Sequence, residues 1–448
     1  MADRSGDHLP ELARRAAVRP AVILDDDPTG TQTLRDVFVL TSWDADSVAR
    51  HLPDPAVFLS TNSRSLDEAA AVAITHDAAV AALGAARISG RPISVISRSD
   101  STLRGHFPAE TAAVADAMQA PDARVLLAPY FGEGGRLTID GVHYLLEGGT
   151  RRPMGETEFA RDASFGYRSS KLAEWVAEKY GSAGTVPPFT SNLTLNLIRD
   201  GGPEAVAAAL LALPARAVAI ADAEVDRDIE TVALGVLMAE EEGLPIVART
   251  AASYVRARAG RQPAPVLTAE ELASDGPGLI VVGSHVATTT RQLEHLAASM
   301  DQSRLVTHEL AVEPVLAGDV GAVDAAIKVL GDALRDGRSG LVSTERGRRD
   351  VGLEGARAIS SALVAVVRGI QTRPAWVIAK GGITSSDVAS RGLDIREARV
   401  AGQILPGVPV WIGTESSRWP AMPLVVFPGN VGGASALADA LGLLSARG

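Results

Sequence analysis

The stretch Ala21-Val22-Ile23-Leu24-Asp25-Asp26-Asp27-Pro28-Thr29-Gly30 decides how the rest of the chain is read. Four apolar residues of strand type lead into three consecutive carboxylates and a Pro-Thr-Gly turn, so the acids are displayed where a strand ends. In an α/β sheet, ligands bind at that end. Three adjacent like charges repel, and a fold tolerates them where a cation, a metal or a hydrogen-bonding substrate neutralises them. A solvated acidic turn is the alternative.

Working outward, short apolar strands alternate with Ala-rich helical stretches, the pattern of a mostly parallel α/β sheet. Strands are expected over Asp36 to Thr41, Val57 to Ser60, Pro92 to Ile96, Val125 to Ala128, Val218 to Ala221 and Ile246 to Ala248, with helices from Ala45, over Asp67 to Leu83 and from Pro108. The second tip reads Thr61-Asn62-Ser63-Arg64, the third Ser97-Arg98-Ser99-Asp100-Ser101-Thr102-Leu103-Arg104-Gly105, and the fourth Pro129 to Arg136. Acidic and Arg/Ser/Thr-bearing tips in succession suit a ligand with both hydroxyls and a carboxylate. Each Ser, Thr or Asp taken singly also reads as a helix N-cap, and it is their recurrence that favours a site. The less regular stretch Gly141 to Leu195 is expected to be a lid or insertion.

Arg256 to Gly278, rich in Arg, Pro and Gly, reads as a domain boundary, giving domains over 1-260 and 261-448. Beyond it the alternation restarts with Leu279 to Val282 and the tip Gly283-Ser284-His285. Two later tips are glycine-rich, Lys380-Gly381-Gly382-Ile383-Thr384-Ser385 and Pro428-Gly429-Asn430-Val431-Gly432-Gly433, each before a helix. Backbone N–H groups at such tips can cradle phosphate, although tight helix–sheet packing also calls for glycine. No P-loop, dinucleotide or protein-kinase fingerprint is present. His285, Lys380 and Lys171 are isolated candidates for acid–base or phosphate contacts that read first as structural or surface residues.

Composition narrows the function. At 448 residues the chain exceeds one hydrophobic core, and 46% hydrophobic with 22% charged residues is ordinary for a globular protein. A net charge of -11 argues against nucleic acid or an anionic membrane as partner. The absence of cysteine excludes disulfides, thiolate catalysis and Cys-ligated metals. His308-Glu309 lacks the second His of a metalloprotease motif. The polar Met1 to Pro20 and the lack of an apparent bilayer-spanning run place the expectation in the cytoplasm. A closed homodimer is the default assembly.

The residues also carry a resemblance. Asp26-Asp27-Pro28-Thr29-Gly30, Asn62-Ser63-Arg64, Arg98 to Gly105, Gly135-Arg136-Leu137-Thr138, Gly283-Ser284, Lys380 to Ser385 and Pro428 to Gly433 stand in the order and spacing of the four-carbon acid sugar kinase family, over nearly the whole chain. The resemblance implies two α/β domains, each a mostly parallel sheet flanked by helices, with the active site in the cleft between them. The N-terminal domain would hold the acid sugar and the C-terminal one ATP with Mg2+, the γ-phosphate passing to the terminal hydroxyl of a threonate, an erythronate or a 3-oxo-tetronate. By position, Asp26 and Asp27 resemble the family's acidic pair, and Asp26 is expected to be the catalytic base. Asp27, Arg64, Arg98, Asp100, Ser101, Thr102 and Arg104 resemble its substrate contacts. Ser284, Gly381, Gly382, Ile383, Thr384, Gly429, Asn430 and Gly432 resemble its nucleotide contacts. Asp25 stands where a small residue is expected, Ile383 where many members carry an acid, and the last loop departs from Gly-Gly-Phe-Gly. These departures leave room for another substrate, such as the branched acid 3-oxo-isoapionate. An acid-sugar dehydrogenase lacks its dinucleotide fingerprint here, and a sugar-acid sensor would not need the glycine-rich loops.

Overall fold

The computed structural model describes residues 7–272, 274–301, 303–346 and 352–445. The chain forms two compact units, Met1–Thr33 with Trp43–Pro263, and Leu34–Ser42 with Ala264–Gly448. Before residue 264 the strands are β1 (Ala21–Asp25), β2 (Val37–Leu40), β3 (Ala56–Ser60), β4 (Ser94–Arg98), β5 (Arg124–Ala128), β6 (Arg136–Ile139), β7 (Val142–Glu147), β8 (Thr150–Pro153), β9 (Thr190–Leu193), β10 (Val218–Ala221) and β11 (Ile246–Thr250). All but β2 belong to the first unit.

That unit is built on the parallel order β3-β1-β4-β11-β5-β10-β9. β1, β3, β4 and β11 are buried at every position, as expected of strands covered by helices on both faces. From β1 the chain goes first to one neighbour, β3, and then to the other, β4. This reversal is the topological switch point at which open α/β sheets bind ligands. The helix Glu68–Ser89 returns the chain between these neighbours. Asp67 caps it by accepting from Ala70 N at 2.9 Å, and Gly90 ends it at φ 68°. Contrary to the sequence reading, this helix is long and apolar enough to cross a membrane by length and composition. Its alanines instead pack against the helices Ala45–Arg50 and Ala109–Ala117. A Cβ on its Gly84 would lie 2.8 Å from that of Ala45.

The stretch from Gly141 to Leu195 is more than a lid. β6, β7 and β8 form an antiparallel ribbon. The helix Leu172–Ser182 buries Leu172, Trp175 and Val176 in a core with Leu127 and Ile220, and β9 completes the sheet edge. Its Pro and Gly residues obscure the pattern because they mark turns between short elements.

The second unit contains β12 (Leu279–Val282), β13 (Leu305–Leu310), β14 (Ser339–Thr344), β15 (Val377–Lys380), β16 (Glu397–Leu405), β17 (Val408–Gly413) and β18 (Pro423–Phe427). Its order is β13-β14-β12-β15-β18-β17-β16-β2. The run from β13 to β18 is parallel, and β17, β16 and β2 are attached antiparallel. The expected boundary segment divides between the units. Arg256 lies in the helix Ala252–Arg258 with no exposed surface, whereas Leu267 and Leu272 join the second unit's core and Leu267 N donates to Gln403 O at 2.7 Å.

Candidate functional site

In the first unit, parallel register sets Asp25 of β1 beside Ser60 of β3 and Arg98 of β4. The three carboxylates then separate. Asp25 turns inward, fully buried, 3.3 Å from Arg98 Nη1 and without a hydrogen bond to either oxygen. Burial pushes it up to about 8, ahead of the opposing Arg98 charge. Asp26 accepts from Arg64 Nη2 at 2.6 Å and Nε at 3.1 Å, a two-pronged grip, and from Arg98 Nη1 at 3.4 Å. Asp27 closes a local turn by accepting from Thr29 N at 2.8 Å, with Arg64 Nη1 at 3.5 Å. Its pKa is lowered, the Arg64 charge and the Thr29 bonds outweighing burial. The cations that neutralise this triplet are therefore Arg64 and Arg98. Among the described residues, no group of three or more His, Asp or Glu forms a metal cage.

Arg64 reaches Asp26 because Asn62, in the left-handed region at φ 48°, turns β3 into the short helix Ser63–Ser65. After β4, Asp100 accepts from Arg104 Nε at 2.7 Å and from the Thr102 hydroxyl. Against the raising effect of burial, the Arg104 and Arg64 charges hold Asp100 well below the carboxylate range. Arg104 also faces Asp162 at 3.5 Å and lies 5.3 Å from the Phe159 ring. The Ser101 carbonyl accepts from His143 at 2.8 Å and the Thr102 carbonyl from Tyr167 Oη at 2.7 Å. The segment with Phe159, Asp162 and Tyr167 thus packs on this turn.

The sequence reading missed two residues of this cluster. Glu110 sits at the start of the helix Ala109–Ala117, accepts from Ser63 Oγ at 2.5 Å, and is pushed up to about 7 by burial and by Asp26. Arg249, next to last in β11, lies between β4 and β5 and donates to Arg104 O at 3.0 Å. A charge at the end of an apolar strand was the available signal. The sheet order that carries it to the centre was not.

In the second unit the adjacent tips of β12, β15 and β18 converge. A Cβ on Gly429 would lie 2.4 Å from Ser284 Oγ, one on Gly283 2.2 Å from Thr384 Oγ1, and one on Gly381 (φ 118°) 3.2 Å from Ser284 Cβ. A side chain at these glycines would therefore crowd Ser284 and Thr384. Thr289 donates to Gly429 O at 2.8 Å, and Gln292 Nε2 to Val431 O and Gly433 O at 3.0 and 2.9 Å. Arg346 donates to Ser284 O at 2.6 Å, and His285 shares a hydrogen bond with Thr344 at 3.0 Å. The helices Ala287–Ser299, Gly382–Asp387 and Ala436–Leu444 all begin without a side-chain cap. Their first N–H groups therefore lack side-chain acceptors. Gly432 adopts φ 88°, Gly382 opens its helix, and Ile383 and Asn430 are exposed. Lys380 is a structural tie: fully buried, it donates to Pro428 O at 3.0 Å and lies 3.8 Å from the Phe427 ring centre. Lys171 is an exposed partner of Glu174.

An oxygen-rich acid–arginine cluster in one unit and glycine-lined, uncapped helix starts in the other are the two candidate ligand sites. Residues 21–258 match the sugar-binding N-terminal domain and residues 279–437 the nucleotide-binding C-terminal domain. The chain belongs to the four-carbon acid sugar kinase family. D-erythronate kinase of Heliobacterium modesticaldum (strain ATCC 51547 / Ice1) is 28% identical over 284 residues, covering 61% of this chain and 59% of the relative. The match thus spans about three-fifths of that relative's length. A protein of Salmonella typhimurium LT2 provisionally described as a tRNA synthase shares the fold with a TM-score of 0.67 at 18% identity, over 94% of this chain and 98% of its own. A Haemophilus influenzae protein does so with a TM-score of 0.63 at 18% identity, over 94% and 99%.

Proposed function

We propose that this protein is an ATP-dependent kinase that phosphorylates a hydroxyl of a four-carbon sugar acid of the erythronate or threonate type. The observation that carries the reading is the Asp26 carboxylate, gripped by Arg64 at the switch point of the sugar-binding unit. Oδ1 accepts from both Arg64 and Arg98, whereas Oδ2 accepts from Arg64 Nε and keeps a further acceptor position. Asp26 can therefore accept the proton of the attacking hydroxyl as its oxygen bonds to the γ-phosphorus and the bond to the ADP oxygen breaks. Asp27 and Asp100, fixed by Arg64 and Arg104, accept hydrogen bonds from the remaining hydroxyls.

ATP is assigned to the second unit because three helices that begin near its glycine-rich tips lack side-chain caps, and such helix starts favour phosphate. Mg2+ prefers phosphate and water ligands with few from protein, so the absence of a carboxylate cage among the described residues is compatible with its arrival on the nucleotide. Ser284 and Thr384 hydroxyls would face that group, and the ion would neutralise charge on the phosphates.

The test is ADP release with ATP and Mg2+ over threonates, erythronates, 3-oxo-tetronates and 3-oxo-isoapionate. Turnover is expected on one of them, with Asp26→Asn slowed by about 10²- to 10⁴-fold while nucleotide still binds. Silence across the panel with ATP bound refutes the substrate class. Near-normal turnover by Asp26→Asn refutes its role as base.

A further inference from the structure

We infer that Arg249 is the receptor for the carboxylate of the sugar acid, whose hydroxyl end then lies at Asp26. The inference rests on the substrate class proposed above and adds to it the group that selects acids over neutral polyols.

The argument begins with which charges are already paired. Arg64 is committed to Asp26 and Asp27, Arg98 to Asp25 and Asp26, and Arg104 to Asp100 and Asp162. A substrate carboxylate bound to any of them competes with an internal carboxylate. Arg249 has none within ion-pair distance among the described residues, although its side chain is only 2% exposed. Phe107 and Trp175, with ring centres 5.3 and 5.2 Å away, support the guanidinium without using its donors. One hydrogen bond, from Nη2 to the Arg104 carbonyl, engages it. A guanidinium carries five N–H donors in a planar fork suited to carboxylate. Burial lowers its pKa in spite of Asp26, Glu110 and Asp100 nearby, as expected of a desolvated cation without a bonded counter-ion.

Gly105 joins this cation to the reacting end. At φ 115° it presents no side chain, and the nearest atoms to the position a Cβ would take are Asp26 Oδ2 at 3.3 Å, Arg249 Nη2 at 3.6 Å and Glu110 Oε2 at 4.0 Å. The base and the uncommitted guanidinium therefore border the same small space. They are no farther apart than those two distances laid end to end, a span that a four-carbon chain bridges. Arg136, another guanidinium without an ion pair among the described residues, is half-buried, bonds to the Gly134 carbonyl and is not among those nearest atoms.

The test compares D-erythronate and L-threonate with erythritol and threitol, their uncharged counterparts, by calorimetric titration without nucleotide and by turnover. Arg249→Met keeps the apolar stem between the two rings. It is expected to weaken binding of the acid and raise its KM by about ten- to a hundredfold, the range for loss of a charged hydrogen-bonded pair. Binding of the polyol should change by less than about threefold on the same scale, and Arg249→Lys should recover part of the loss. If Arg249→Met does not fold, Arg249→Lys with the same four ligands replaces it. Equal weakening of acid and polyol, or acid binding unchanged, overturns the assignment and leaves the kinase reading standing. If the wild-type protein neither binds nor turns over any four-carbon acid, the kinase reading falls and this assignment with it.

Discussion

Gly30→Ala tests the packing beneath the acidic tip. A Cβ at residue 30 would lie 2.1 and 2.2 Å from the two carboxylate oxygens of Asp25 and 2.4 Å from its Cγ. Tolerable contact begins more than 1 Å farther out, so either the carboxylate or the Pro28–Thr33 turn must move. Asp25 has little room to do so, being fully buried with Arg98 at 3.3 Å. Gly30 does not occupy a positive-φ conformation, so the substitution carries no backbone penalty. Reduced freedom of the unfolded chain would by itself favour Ala by about 0.4–1 kcal/mol. Against this stand about 1–3 kcal/mol for overpacking and a further ~1–3 kcal/mol for disturbing a buried charged contact. The expected net loss is about 1–5 kcal/mol, or roughly 2–20 °C in the melting temperature of a domain this size. Thermal melts and urea unfolding read it directly. In the background of Asp25→Ala the clash disappears, so the cost of Gly30→Ala should shrink by more than half, a coupling that a double-mutant cycle measures. A melting temperature for Gly30→Ala within about 1 °C of wild type would refute the steric account.

Two further predictions use pH. Burial lowers Lys380 from its ordinary 10.5 to about 7. The folded protein then binds fewer protons than the unfolded chain between those values, and stability rises with pH across that window. Lys380→Met should remove up to about 1.4 kcal/mol of that rise per pH unit, as unfolding titrations at pH 7 and 9 would show; an unchanged slope would count against the burial-lowered amine. Glu110 has the opposite sign: raised from 4.5 to about 7, it makes the folded state bind more protons over that interval, so its contribution falls as pH increases. Glu110→Gln should gain stability relative to wild type between pH 5 and 8, and a constant difference in urea midpoints would contradict this.

Much of this was legible in the sequence because strand tips announce themselves. An apolar run ending in Asp25 to Asp27, or in Arg98 to Gly105, places polar groups at the same end of a parallel sheet whatever its order. What depends on order was hidden. β11 is the last strand of its unit in sequence yet lies between β4 and β5, and nothing local to Ala248-Arg249-Thr250 reports that insertion. The neutralisation of the acids was also beyond local reading. Arg64 and Arg98 are sequence-distant, and their pairing with Asp26 arises from register and from the left-handed turn at Asn62. The helix Glu68–Ser89 escaped notice as a membrane-length segment because its hydropathy comes from alanines, which pack as close helix contacts here. The affiliation of Leu34–Ser42 had no signal at all, since an amphipathic strand does not disclose which sheet receives it.

That segment has a consequence for how the protein is made. β2 pairs with β16, Val37 opposite Val400 and Leu40 opposite Glu397. At ordinary rates of synthesis, the roughly 360 residues between the partners take about 20–70 s to emerge from the ribosome. Through that interval the early strand waits without its partner, exposed to the mispairing that unfilled edges invite. The gene is also not divisible where the sequence domains meet. A fragment beginning at Ala264 would leave β16 short of a neighbour, and a fragment ending at Pro263 would carry a strand belonging to the other unit. Independent expression of the nucleotide-binding unit therefore requires residues 34–42 to be grafted back beside β16.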